Sequence, residues 1–253
     1  MLNTQEFNPV VYNILKVNNF HTLKAYTFKQ ELVDYCIQNN LYTKPYIERL
    51  AKCGTPITPT IKERCGLIEC PLCYGHKLHL ERQKIRQRQK WLSCLNLLTR
   101  MLTLNFADVQ EQNFLSQYNY LSKQFTRLIN TRQCQRLLLG TAKSIETSFS
   151  YLGLWHVHLH ILLVYKGNYN IEELTQLIKK HFPDCQQIHF HPQESPVNLL
   201  SFFDYVTKIP DCNVEDWIAL RRLAKKKKKV TYSGIFAKAR ASPEPSGYKG
   251  KKQ

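Results

Sequence analysis

The stretch WHVHLHILLVY, residues 155–165, alternates three histidines with apolar residues and then continues as an apolar run. Successive side chains of a β-strand point to opposite faces, so His156, His158 and His160 share one face of the predicted strand. The preceding segment, QRLLLGTAKSIETSF, is also strand-like and leads through SYLG into the histidines, which predicts a hairpin. Strands and helices alternate along the chain without the spacing of repeated parallel units. The pattern therefore predicts an α+β fold, with a central antiparallel sheet and helices on one face.

Histidines on one face of a strand either belong to a satisfied core or bind a ligand. Two neutral imidazoles two residues apart can chelate one divalent ion, and Glu146 on the partner strand adds a carboxylate. This donor set suits Mg²⁺ or Mn²⁺ and leaves coordination positions open for substrate oxygens. We therefore predict a catalytic metal site at His158, His160 and Glu146, with His156 outside the metal's own ligands. In the alternative, the histidines are structural and Glu146 is an ordinary exposed strand residue.

The charge balance of the chain indicates a polyanionic partner. Among its 253 residues, Lys and Arg number 36 against 19 Asp and Glu, a formal net charge of +17. Nucleic acid is the first candidate, and an acidic lipid surface is the alternative. No apolar run approaches the roughly 20 residues of a membrane span, and MLNTQEFNPVVYNILK at the start lacks the pattern of a secretory signal. We expect an intracellular protein, whose nine cysteines are metal ligands or buried thiols rather than disulfides.

Four of these cysteines lie close together in a segment rich in Gly and Pro. They are Cys53, Cys65, Cys70 and Cys73. Thiolates separated by two residues in a tight turn can hold one tetrahedral Zn²⁺, with a second pair completing the shell. A closed four-cysteine shell leaves no position for water, so the sequence predicts a structural zinc; the alternative is a set of unrelated buried thiols. The other five cysteines show no metal spacing and are expected to be inert.

A strongly basic helix, HKLHLERQKIRQRQKWLSCLNLL, follows the cysteines. Leucine and isoleucine residues occupy one side of it, at Leu78, Ile85, Leu92 and Leu95. The remaining surface is basic and is predicted to contact the phosphate backbone of DNA through Lys77, Arg82, Lys84, Arg86, Arg88 and Lys90. The alternative is a solvated helix face without a partner.

Two further patterns concern the elements around the histidine strand. Asp108, three residues before Glu111, predicts a capping box at the start of an amphipathic helix. His189 and His191 in QIHFHP share a strand face by the same logic as the first histidines. Because no apolar continuation accompanies them, they are predicted to form a polar sheet edge.

A helix in the segment NLLSFFDYVTK carries Tyr205 and Lys208 on one face. Taken alone, it is an amphipathic core helix with an ordinary aromatic residue. An HxH strand followed about 45 residues later by YxxK, however, resembles the HUH endonucleases. Within them, the chain resembles the zinc-cysteine-bearing initiators of rolling-circle plasmid replication. The resemblance spans roughly residues 50–240 and rests on ordered motifs: KCG, RCGLIECPLC, MLTLNF, SIETSF, WHVHLHILLVY, FFDYVTK and VTYSGIFAKA.

The resemblance implies a ferredoxin- or RRM-like HUH fold and a metal-dependent nickase that acts at a plasmid double-strand origin. Tyr205 would attack one phosphate of single-stranded or hairpin origin DNA, which gives a 5′-phosphotyrosyl link and a 3′-OH primer. Lys208 would assist the tyrosine, and a bacterial cytoplasm with a host helicase and polymerase is expected. Relatives often carry a glutamate four residues before the tyrosine, but the residue there is Ser201. This puts the usual termination hydrolysis in doubt.

We accordingly divide the chain into an N-terminal helical segment 1–50, a zinc-binding knot 51–76, an HUH core 77–240 that includes the basic helix, and a disordered basic tail 241–253. Two alternatives to the replication initiator remain. One is an HUH transposase or mobilisation relaxase, against which the cysteine knot and VTYSGIFAKA argue by resemblance. The other is a non-catalytic, zinc-stabilised DNA-binding regulator. The chain shows no GxxxxGK[ST] loop, so any unwinding must come from a separate helicase.

Overall fold

The computed structural model describes residues 20–58, 62–95, 97–149, 153–165, 170–192, 195–207, 212–223, 225 and 230–239. The predicted catalytic Lys208 and the predicted tail 241–253 lie outside these residues. In chain order the elements are α1 (Phe20–Gln38), α2 (Lys44–Lys52), α3 (Pro71–Ser93), β1 (Leu98–Asn105), α4 (Glu111–Ile129), α5 (Arg132–Leu137), β2 (Leu138–Phe149), β3 (Trp155–Tyr165), α6 (Ile171–His181), β4 (Gln187–Phe190), β5 (Ser195–Pro196), α7 (Leu199–Thr207), α8 (Val214–Leu223), β6 (Val230–Gly234) and α9 (Ile235–Lys238). The described residues form two compact units, one made of those up to His79 together with 213–223 and 225, and the other made of the remaining described residues.

The first unit is a small helical assembly built around cysteine side chains. Its core consists of Ala25, Leu32, Val33, Cys36, Leu50, Cys53, Cys65, Cys70, Leu72 and Ile218. Helix α1 presents one apolar stripe to this core, and Lys29 on the same stripe is also buried. The Lys29 ammonium donates to the carbonyl oxygens of Ala51 (2.9 Å) and Cys53 (3.3 Å), at the end of α2. A cation there satisfies carbonyls that the helix itself leaves unpaired.

The second unit is built on an antiparallel sheet with the strand order β4-β1-β3-β2-β6, in which β5 also pairs with β1. The predicted hairpin is confirmed as β2 and β3, in a register that sets Glu146 opposite His158 and Ser144 opposite His160. Strand β3 lies in the middle of the sheet, and its residues from His160 to Tyr165 are all buried. The predicted α+β class with a central antiparallel sheet is confirmed.

Helices α4 and α7 contact different faces of the sheet, whereas the sequence predicted helices on one face. On the face away from the histidines, Phe114 of α4 packs against Trp155 with ring centroids 5.4 Å apart, and α6 packs beside α4. On the histidine face, α7 brings Tyr205 to His160. The predicted capping box is wrong: α4 begins at Glu111 with Gln110 as its N-cap and no side-chain cap. The Asp108 carboxylate instead contacts Nδ1 of His156, because the chain leaving β1 passes the start of β3.

The motif VTYSGIF closes the sheet at β6 and requires glycine at one position. Gly234 has a φ of +55°, and a Cβ there would lie 2.1 Å from the carbonyl oxygen of Leu139. Only glycine allows this approach, which lets α9 turn back against β2 and bury Phe236 completely. Within the described part of the chain, no helix has both the length and the apolar character that a membrane crossing needs.

Candidate active site and metal centre

An open cleft of about 680 Å³ lies on the histidine face of the second unit. Its lining includes His158, His160, Glu146 and Tyr205. Helix α7 directs the Tyr205 ring edge-on to the His160 ring, with the centroids 5.3 Å apart and the planes at 89°. The Tyr205 side chain is 43% exposed, so it is accessible from the cleft. The structure therefore brings together four of the predicted catalytic residues, from β2, β3 and α7.

His160 is held at both ring nitrogens. Its Nε2 lies 2.7 Å from Oε2 of Glu146, and its Nδ1 lies 3.0 Å from Oγ1 of Thr103 on β1. The ring is only 4% exposed. Imidazole and carboxylate are both ligands of divalent ions, so His160 and Glu146 would be able to hold one together.

His158 is oriented by a chain of two amides. Its Nδ1 lies 2.7 Å from Oδ1 of Asn105, and the Asn105 amide donates from Nδ2 to Oε1 of Gln187 (2.8 Å). Because Gln187 takes the amide's donor, Asn105 offers its oxygen to the histidine. This assigns the ring proton to Nδ1 and leaves Nε2 with a lone pair, the arrangement that partners impose on metal-binding histidines.

The electrostatic surroundings keep His158 neutral. Burial lowers its pKa to about 4, with a further lowering from the neighbouring His156 and His160. Only the neutral imidazole can bind a metal, so the ring is ready for this role near pH 7. His156 lies with its ring 4.1 Å from that of His158 and pairs with Asp108 through Nδ1. Its predicted place outside the metal's ligands stays a prediction.

His189 and His191 line the same cleft, which the sequence did not indicate. They lie on and directly after β4, an edge strand in the sheet order, so the predicted polar edge matches their position. Thr103 of β1 is opposite His160 on one side and opposite His189 on the other. The two histidine pairs therefore belong to one surface because of strand pairings between distant segments.

The four predicted zinc ligands also come together. The Sγ atoms of Cys53 and Cys70 are 3.5 Å apart, and Cys73 lies 3.6 Å from both Cys53 and Cys65. A tetrahedron of Zn–S bonds of about 2.3 Å places its sulfurs about 3.8 Å apart, so the spacing fits one zinc ion. None of the nine cysteines, all of them among the described residues, forms a disulfide. Three of the four are buried, which leaves no room for a substrate.

Hydrogen bonds polarise this cluster. The Cys65 and Cys70 thiols lower the pKa of Cys53, because they donate hydrogen bonds that favour its thiolate. The pKa of Cys70 is raised for the same reason, since its proton is shared with Cys53. The backbone N–H of Gly66 donates to Cys73 Sγ at 3.3 Å. Gly54, directly after Cys53, has a φ of +89°, and a Cβ there would lie 2.7 Å from Leu72 Cδ1 and from the Tyr26 hydroxyl oxygen.

The two candidate centres differ in how closely their ligand atoms approach. Among the described residues, the cysteines are the one group of three or more His, Cys, Asp or Glu whose ligand atoms all lie within 4.8 Å of one another. His158, His160 and Glu146 do not form such a group, although His160 and Glu146 are in contact. The cysteine cluster could thus hold a metal such as zinc without rearrangement.

The basic helix α3 contributes both exposed and engaged cations. Lys77, Arg86 and Lys90 are exposed. Lys84 pairs with Glu81 of the same helix at 3.1 Å, and the Arg88 guanidinium lies 4.5 Å from the centroid of the Tyr232 ring. Arg82 forms two hydrogen bonds to the carboxylate of Asp204, which precedes Tyr205. Ser201, one turn before Tyr205, is exposed and donates its backbone N–H to Asn198 Oδ1.

Comparison with known families gives one match. Residues 61–182 match the model of a family described as "Replication protein". The matched segment includes three of the four clustered cysteines, the basic helix and strands β1 to β3 with His158 and His160, and it ends before Tyr205. Neither the curated proteins nor the solved structures gave a significant match. Over these residues, the match supports the family resemblance drawn from the sequence motifs.

Proposed function

Residues 61–182 belong to the replication-protein family of rolling-circle plasmids, and on that premise we propose that the chain initiates plasmid replication by nicking one strand at the double-strand origin. The observation that carries the proposal is the contact between Tyr205 and His160 in a cleft that also contains His158 and Glu146. A tyrosine beside two histidines and a carboxylate supplies a nucleophile and a site for a divalent ion.

In the proposed reaction, Tyr205 Oη attacks the scissile phosphorus in line with the leaving 3′ oxygen. One P–O bond forms to the tyrosine as the P–O3′ bond breaks. The phenol proton is given up, and the departing 3′ oxygen takes a proton to become the 3′-OH primer. The DNA 5′ end stays linked to Tyr205 as a phosphodiester. The stored phosphodiester lets a later 3′-OH reverse the reaction and rejoin the strand.

His158, His160 and Glu146 are proposed to hold Mg²⁺ or Mn²⁺. The donor types suit such an ion: Asn105 and Thr103 contact the Nδ1 atoms of His158 and His160, and Nε2 of His160 lies 2.7 Å from Glu146. When bound, such an ion polarises the phosphate and stabilises the charge of the transition state. His156, paired with Asp108, would contact the incoming strand.

Other parts of the chain have supporting roles in the proposal. A phenol is mostly protonated at neutral pH, so Lys208, three residues after Tyr205 in the sequence, is proposed to ease loss of the proton. Zinc on the four cysteines would stabilise the first unit without entering the reaction. The basic side chains of α3 would hold the DNA backbone, and a host helicase and polymerase would extend the primer. With Ser201 in place of a carboxylate, termination would need another base.

The test is formation of a covalent protein–DNA adduct. Purified protein, Mn²⁺ and a labelled single-stranded origin oligonucleotide should give an adduct that survives denaturing electrophoresis, and a peptide containing Tyr205 should carry the added mass. Tyr205→Phe should abolish the adduct. Tyr120→Phe, on α4 at the other face of the sheet, is the matched control and should leave the yield unchanged.

The alternatives give different results. An adduct with transfer-origin or transposon-end oligonucleotides, and none with plasmid origins, would indicate a relaxase or a transposase. No adduct from zinc-loaded wild type, together with specific DNA binding, would indicate a non-catalytic regulator. An adduct that persists in Tyr205→Phe would contradict the assignment of the nucleophile.

A further inference from the structure

Two side chains of α3 attach that helix to the helix that carries Tyr205. Gln89 contacts the start of α7 at two points: its Nε2 donates to the Val197 carbonyl (2.6 Å), and its Oε1 accepts from the Leu199 N–H (2.7 Å). Leu199 is the first residue of α7, where backbone N–H groups have no acceptor within the helix. Gln89 therefore works as a cap supplied from another helix.

Arg82 contacts the other part of α7. Its Nε and one terminal nitrogen donate to the two carboxylate oxygens of Asp204, both at 2.7 Å. The residues 82, 85, 89 and 92 lie on one side of α3 by their spacing, and Ile85 and Leu92 between the polar contacts are buried. The two-point bond of a guanidinium to a carboxylate fixes orientation as well as distance.

We infer that Arg82 and Gln89 are positioning residues. They fix the position and rotation of α7 relative to α3, so that Tyr205 stays against His160. This inference rests on the proposed nicking function. Helix α7 has nine residues, and a helix of this length has little stability without such contacts. The geometry assigns Arg82 to Asp204 rather than to the DNA contact expected from the sequence.

The experiment separates the rate of reaction from DNA affinity. Single-turnover adduct formation is measured at saturating oligonucleotide with Arg82→Ala, Arg82→Lys, Asp204→Asn and Gln89→Ala, and the dissociation constant is measured with each variant in a Tyr205→Phe background. Displacement of a reacting group by a fraction of an ångström to 1 Å lowers rates by about tenfold to a hundredfold. Each variant should show such a loss, with its dissociation constant changed less than about threefold.

Arg82→Lys and the exchange Arg82→Asp with Asp204→Arg sharpen the result. Lysine keeps the charge but not the two-point bond, so it should not restore the rate, whereas the exchange should restore it in part. Lys179→Ala on α6 removes an equal charge and should leave both readouts unchanged. A DNA contact would instead weaken binding in Arg82→Ala and strengthen it in Asp204→Asn, and that outcome overturns the inference. No adduct in the wild type would overturn the proposed function instead.

A second inference comes from the far wall of the cleft. Thr103 of β1 pairs with His160 of β3 on one side and with His189 of β4 on the other. His189 is therefore two strand spacings, about 10 Å, from His160. His189 and His191 are both exposed, and their ring centroids are 5.8 Å apart. Among the described residues that line the cleft, Glu146 is the one acid, and it lies on the opposite wall.

We propose that His189 and His191 bind a phosphodiester of the single strand next to the scissile one. Imidazole N–H groups can donate hydrogen bonds to the non-bridging oxygens of a phosphate. Because no described carboxylate lines this wall of the cleft, it does not repel the negative charge of the phosphate. This proposal also rests on the nicking function, since it places the strand across the sheet from β3 toward β4. Such a contact does not distinguish between bases, but it fixes the register of the DNA strand in the cleft.

The test replaces one phosphodiester at a time by an uncharged methylphosphonate in the origin oligonucleotide. Affinities are measured with the Tyr205→Phe protein, with and without His189→Ala and His191→Ala. At one position beside the nick, the methylphosphonate should weaken binding about tenfold, and the histidine variants should remove that penalty. His181→Ala on α6 is the matched control. Additive penalties at every position would overturn the inference, while no binding of origin DNA at all would count against the proposed function.

Discussion

The cysteine cluster and the histidine cleft are both candidate metal centres, but they differ in closure. Four sulfurs of one type approach within 4.8 Å in a buried site. The cleft has imidazoles and a carboxylate, about 680 Å³ of open space and an exposed tyrosine. A complete shell of soft ligands leaves no position for a reactant, whereas a partial shell with oxygen donors does. This difference underlies our proposal that one centre stabilises the fold and the other carries the chemistry.

The two regions also differ in how they are assembled. The cysteines come from residues 53–73, so local turns such as those at Gly54 and Gly66 are enough to gather them. The cleft needs β1, β2, β3 and α7, which are distant along the chain. Its side chains are therefore held by partners from other strands, as Thr103 and Asn105 hold the histidines.

The largest expected effect is on the cleft alone. His160→Ala should lower the nicking rate by about a thousandfold, because it removes a proposed metal ligand and the partner of Glu146. Zinc content should remain one equivalent per chain by elemental analysis. A parallel loss of zinc would show that the two centres are not independent.

The next effect is on the cluster. Cys70→Ser should release zinc and lower the free energy of unfolding by at least about 3 kcal/mol, since metal binding and folding are linked at such sites. Urea unfolding with zinc analysis measures both. Cys94→Ser, at an exposed thiol outside the cluster, is the control and should change neither.

Chelation should separate the centres without any mutation. Brief treatment with EDTA should reduce nicking at least about tenfold, and Mn²⁺ should restore it, because a partly open oxygen site holds its ion weakly. Zinc in the buried thiolate shell should stay bound under the same treatment. Irreversible loss of activity, with zinc in the filtrate, would contradict the expected difference in how tightly the two centres hold their metal.

The smallest effect concerns Lys143, a buried cation on the other face of the sheet. Its ammonium donates to Ser122 Oγ (3.1 Å), and no described carboxylate pairs with it. Burial lowers the pKa of Lys143 to about 8. The folded state then loses this proton before the unfolded chain does, so the free energy of unfolding should rise between about pH 8 and pH 10.5.

Lys143→Met should remove that rise and increase the free energy of unfolding at pH 7 by about 2 kcal/mol. Urea unfolding at pH 7, 8.5 and 10 measures both effects. An unchanged slope in the variant would assign the pH dependence to other groups. In that case, Lys143 would contribute to local packing but not to the pH dependence of the free energy of unfolding.

Prediction from the sequence succeeded where the deciding contacts are local. The alternation in β3 and the hairpin with β2 set Glu146 beside the histidines, and the register bears this out. The Asp108 capping box failed, because a tertiary partner, His156, took the carboxylate. Asn105, Thr103 and Gln187 were missed as partners of the histidines, since no sequence period reports which strands pair across the sheet.

By itself the sequence determined the strand and helix periods, the charge, the cysteine spacing and the family motifs. Each of these depends on residues a few positions apart, where covalent geometry dictates which side chains share a face. The tertiary structure alone decided that Tyr205 meets His160, that Asp204 engages Arg82 and that His189 and His191 face the same cleft. Those contacts depend on strand order and helix packing, which follow from burial of the whole apolar core.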